Sequence, residues 1–153
     1  MIKVNVFSEE KAWSKKLKNQ NLFFKKICKL FPKKYQFLDK RVTLNLLLSN
    51  NKNIKKLNKI FRNKNKSTDV LSFPSNKKIK FSKNTFLGDI IISYNYLDKP
   101  KTQELKLFKE KVIKTFIHGY LHLLGFDHIK NKDYSKMLRR ENLLYNLVKL
   151  RID

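Results

Sequence analysis

All three histidines of the chain lie within eleven residues, in His118-Gly119-Tyr120-Leu121-His122-Leu123-Leu124-Gly125-Phe126-Asp127-His128, and their spacing dictates local structure. Residues four apart share one face of a helix, so His118 and His122 can aim ring nitrogens at one point just off the helix surface. Gly125 can take the left-handed conformation that ends a helix, and this turns the chain so that His128 approaches the same point. A helical pair with the third histidine elsewhere in a loop is the ordinary alternative. The third histidine, the intervening glycine and the lack of any other histidine favour convergence on a single transition-metal ion. Three neutral imidazoles suit zinc, with a fourth position open to a water whose pKa falls to about 7. Nickel or copper can occupy the same ligands in vitro, because affinity alone does not select zinc.

The rest of the chain supplies the frame for this segment. Ile2, Val4 and Val6 alternate with more polar residues as in a short strand. A long helix is expected next, capped by Ser8 and carrying Trp13, Leu17, Phe24, Ile27 and Phe31 as far as Pro32. Val42, Leu44, Leu46 and Leu48 repeat with period two and stop at Ser49-Asn50-Asn51, a strand entering a turn or helix cap. Ile54, Leu57 and Ile60 mark a short helix. Val70-Leu71-Ser72-Phe73, stopped by Pro74, and Phe86 to Ser93 read as two further strands around a lysine-rich loop. From about Thr102, Leu105, Phe108, Val112 and Phe116 trace an apolar stripe up to the histidines, and Met137, Leu144 and Val148 mark a terminal helix. The order predicts one α+β domain over residues 1–153, a mixed sheet of about four strands packed against helices.

Charge and cysteine content narrow the function. With 36 lysines and arginines against 12 acidic residues, the formal net charge is +24, and a polyanion such as RNA is the natural partner. Lysine, asparagine, isoleucine and phenylalanine are also what AT-rich codons supply, so codon composition is the competing source of that charge. The lone Cys28 excludes disulfides and a cysteine-rich zinc finger. No stretch reaches the roughly 20 apolar residues of a membrane span, and the N-terminus has no signal-peptide pattern. A soluble, cytoplasmic protein is expected.

The histidine spacing matches the zinc-binding helix and turn of the metzincin proteases, but Gly119 stands where those enzymes carry the glutamate that takes a proton from water. Peptide hydrolysis loses its base, and a phosphodiester becomes the better substrate. The whole His118–His128 segment resembles the signature of the bacterial YbeY endoribonucleases. Two further blocks agree with it, Thr68-Asp69-Val70-Leu71-Ser72-Phe73-Pro74 and Leu87-Gly88-Asp89-Ile90. Phe126, where a tyrosine is common, and Asn65 and Ser67, where aspartate and proline are common, are the departures. The resemblance implies a zincin-like fold element, one Zn²⁺ held by His118, His122 and His128, and Arg62 as the functional arginine. It further implies cleavage of single-stranded ribosomal RNA during 16S rRNA maturation and late ribosome quality control, with the small ribosomal subunit as partner.

A guanidinium suits Arg62 for that role, since it stays protonated and forms paired hydrogen bonds to phosphate oxygens. Asp69, Asp89 and Asp127 are candidates for orienting a ligand histidine, although turn capping and backbone bonding are commoner uses of aspartate at element ends. The main rival is a noncatalytic ribosome-assembly protein with a structural metal, which would need a fourth ligand such as Asp127 or Asp133. A small metallohydrolase acting on a nonnucleic substrate is a second rival, and it leaves the charge without a role.

Overall fold

A computed structural model describes residues 1–128 and 130–152. The alternating N-terminal residues form strand β1 (Ile2–Ser8), and the period-two run forms β2 (Arg41–Ser49) parallel to it, with Ile2 opposite Val42 and Val6 opposite Leu46. The apolar face of β2, Val42, Leu44, Leu46 and Leu48, is fully buried, which is what a two-residue period facing the main core requires.

The long helix expected between Ser8 and Pro32 is instead two, α1 (Ala12–Lys16) and α2 (Gln20–Lys29). Leu17 takes an extended backbone, and the Asn19 side chain accepts a hydrogen bond from the Leu22 amide to start α2. Asparagine favours this capping geometry over a helix interior, so Asn19 sets the break. Ser8 ends β1, and its hydroxyl donates to the Glu10 carbonyl in place of capping a helix. The apolar residues Trp13, Leu17, Phe24, Ile27 and Phe31 are all buried regardless, because both helices pack on the same core.

Asn50 caps α3 (Asn51–Arg62) by accepting from the Asn53 amide at 2.9 Å. The helix stops at Arg62 because Asn63 is left-handed, at φ 56°, a conformation asparagine tolerates. Buried Asn58 donates to the Lys66 carbonyl at 2.9 Å and folds the following loop back on the helix. Strand β3 (Val70–Pro74) runs antiparallel to β4 (Asn84–Ser93), which is parallel to β2. The resulting mixed sheet has the order β1-β2-β4-β3.

After the short α4 (Tyr94–Leu97), helix α5 (Leu105–Leu123) covers one face of the sheet and α6 (Asn131–Lys149) packs against α5. Phe108, Val112, Phe116 and Tyr120 join Leu44, Leu46, Ile90 and Ile92 in the main core, and each such side chain contributes about 1.5–3 kcal/mol by leaving water. Helix α3 covers part of the opposite face through a smaller cluster of Ile54, Leu71 and Ile91. Two residues expected on apolar stripes lie outside: Leu105 is 45% exposed at the first turn of α5, and Ile60 is 70% exposed near the end of α3.

Candidate metal centre and its basic cleft

Helix α5 lies close against the sheet at Gly119. A β-carbon there would sit 3.0 Å from Ile90 Cγ2 and 3.1 Å from Ser72 Oγ, and the Ser72 hydroxyl donates to the Gly119 carbonyl at 3.2 Å. Glycine thus lets the helix lie close against β3 and β4, and any side chain at this position would have to displace the Ile90 and Ser72 side chains. His118 and His122, on either side of this contact, are set beside the end of β3.

The helix ends as the sequence predicts. Gly125 is left-handed, at φ +97°, its amide donates to the His122 carbonyl at 3.0 Å, and the Phe126 amide donates to Leu121 at 3.0 Å. These two bonds make the Schellman arrangement that satisfies the last carbonyls of a helix. The reversed chain brings His128 back, so that one ligand atom from each of His118, His122 and His128 lies within 4.8 Å of the others. The Nε2 atoms of His118 and His122 are 3.0 Å apart. Burial first, then the neighbouring His118 and His128 rings, push the His122 pKa down to about 4, so its ring is neutral at pH 7. Imidazoles converging at this separation have the donor chemistry of a metal site. Among the described residues the cluster consists of the three histidines, leaving room for a further ligand from solvent or substrate.

None of the three candidate aspartates hydrogen-bonds a ligand ring. Asp69 accepts from the Val70 amide and the Thr68 hydroxyl, Asp89 accepts from Asn45 Nδ2, and Asp127 accepts from the His128 amide. The carboxylate that does meet a ligand ring is Glu141 of α6, hydrogen-bonded to His118 Nδ1. Sequence reasoning passed over Glu141, although an acidic residue four after Met137 and three before Leu144 interrupts the apolar stripe of α6 and was a usable signal.

The histidines share a cleft of about 700 Å³ with Arg62, and Lys64, Lys66 and Lys77 line it too. Arg62 projects from the last residue of α3, one Nη2 donating to the Ser72 carbonyl at 3.0 Å and the guanidinium standing 5.8 Å from the Phe73 ring centre. One anchored N–H leaves most of the five guanidinium donors available to a ligand. Three imidazole rings and four exposed cations thus face one space suited to an anionic ligand and a metal.

Residues 5–149 match the sequence profile of the family described as Endoribonuclease YbeY. The chain belongs to the YbeY family. An Endoribonuclease YbeY from Pelagibacter ubique is 58% identical over 152 residues, covering 99% of both chains. Another, from Buchnera aphidicola, is 40% identical over 119 residues, covering 74% of this chain and 76% of the relative. The solution structure of a Thermotoga maritima protein aligns with 95% of this chain and 88% of its own, at a TM-score of 0.57 and 26% identity. Among the described residues, no helix is long and apolar enough to cross a membrane.

Proposed function

We propose that this chain is a zinc-dependent endoribonuclease that cuts single-stranded regions of ribosomal RNA, acting in the cytoplasm on the small ribosomal subunit during 16S rRNA maturation and late quality control. The observation that carries this reading is the convergence of the His118, His122 and His128 ring nitrogens in the cleft that also contains Arg62 and three lysines. The two relatives are named as endoribonucleases, which supports the substrate class.

His118, His122 and His128 would hold the zinc ion, which would supply Lewis acidity at the phosphodiester. The chain's own residues do the remaining work. Arg62, steadied by the Ser72 carbonyl, presents paired N–H donors to the phosphate and stabilises the negative charge that grows there. Lys64, Lys66 and Lys77 hold the flanking backbone by charge without reading its sequence. Gly119 leaves no carboxylate at the position where a metzincin keeps its base, so the attacking oxygen is either water or the RNA 2′-hydroxyl. A 2′,3′-cyclic phosphate on the product would identify the hydroxyl.

Purified protein freed of contaminating nucleases, assayed on an unstructured and a fully paired RNA, tests the reading. The unstructured RNA should be cut, cutting should stop with a chelator, and zinc should restore it. A rate indifferent to the chelator, or equal on both RNAs, would contradict it.

A further inference from the structure

We infer that Glu141 is the positioning residue for His118, fixing the tautomer and orientation in which its Nε2 faces the metal position; the inference rests on the zinc reading given above. Glu141 occupies a core position of α6. It lies on the stripe of Met137, Leu144 and Val148, all buried against the rest of the domain, and is itself only 8% exposed. Among the described buried residues it is the one with a formal charge.

A carboxylate in such a place is costly unless it is paired, and a leucine would fill the position without that cost. Its partner is the His118 ring, through Nδ1. An imidazole that gives a lone pair to a metal from Nε2 carries its hydrogen on Nδ1, and a carboxylate beside Nδ1 is the acceptor that holds it so. That Nε2 is the atom 3.0 Å from His122 Nε2, inside the cluster. The two helices are thereby joined at the point where a small rotation of the ring would carry its lone pair away from the other two histidines. Carboxylates placed this way raise the basicity of a ligand imidazole, and their removal lowers metal affinity about 10- to 100-fold.

The test is zinc affinity by competition with a chromogenic chelator, for wild type, Glu141→Gln, Glu141→Leu and His122→Ala, together with thermal melts of each metal-free protein. Glu141→Leu should lose about 10- to 100-fold in zinc affinity while its metal-free melting temperature stays at or above that of wild type. Glu141→Gln, whose amide oxygen still accepts from Nδ1, should lose less. If Glu141 only holds α6 in place, the variants will melt lower without zinc and bind zinc as tightly as wild type. That result overturns the inference and leaves the zinc reading intact, provided His122→Ala has lost its metal. A wild type that binds no zinc tightly overturns both.

Discussion

The histidine side of the cleft and the basic side opposite differ in how their residues are held. His118 and His122 ride on a nineteen-residue helix wedged against the sheet at Gly119, and a buried carboxylate and a Schellman turn fix their surroundings. Arg62, Lys64, Lys66 and Lys77 are exposed, and of these Arg62 has a hydrogen bond to the backbone of β3. Coordinating a metal needs lone pairs placed to within a few tenths of an ångström, whereas attracting a polyanion needs only charge within a Debye length. Loss of a ligand histidine on the first side should therefore act nearly all-or-none, and changes on the second side by degrees, with Arg62 in between.

The largest effect is expected from His122→Ala. Elemental analysis should find close to one zinc per wild-type chain and nearly none in the folded variant, with cleavage lost alongside it. Undiminished zinc in folded His122→Ala would end the three-histidine site. Next comes Arg62→Ala, which should keep its zinc and most of its RNA affinity while cleavage falls roughly 10²- to 10³-fold, the usual cost of removing one donor that stabilises transition-state charge. Lysine should restore only part of that loss, since a point charge does not reproduce a planar pair of hydrogen bonds.

Replacing Lys64, Lys66 and Lys77 together by glutamine should weaken RNA binding and leave zinc content unchanged. The slope of log K against log salt should become shallower by roughly 0.7 for each phosphate contact removed. An unchanged slope would place the RNA backbone elsewhere on this basic surface. The smallest effect concerns pH. With the His122 pKa depressed from 6.5 to about 4 in the metal-free fold, the unfolded chain binds a proton that the folded one does not as pH drops below 6.5. Stability of the metal-free protein should fall between pH 6.5 and 4, and His122→Ala should lack that part of the decline. Urea midpoints at pH 7.5 and 5 that shift equally in both proteins would refute it.

Much of this contrast was legible in the residues, for reasons that also explain what was not. The period-two run of β2 turns Val42, Leu44, Leu46 and Leu48 to the main core, so its sequence carries their burial directly. The histidine site is written within eleven residues and needs only helix geometry and one glycine. The break between α1 and α2 was hidden, because Leu17 and Phe24 stand seven residues apart, two helical turns, and both are buried in the same core. Glu141 could be seen as an anomaly on its stripe, but its pairing with His118, 23 residues away, is a tertiary contact that no local period reports. Arg62 looks like any arginine ending a helix, and only the family resemblance singled it out before the fold placed it in the histidine cleft.

The claim that one side of this cleft does metal chemistry and the other stabilises phosphate is tested most directly by purifying wild type, Arg62→Ala and His122→Ala in parallel and comparing cleavage of one unstructured RNA. Wild type should cut fastest, Arg62→Ala should be slower by about 10²- to 10³-fold with its zinc in place, and His122→Ala should be inactive and metal-depleted. Equal rates in all three would mean that the activity is a contaminant and that the cleft is not an active site.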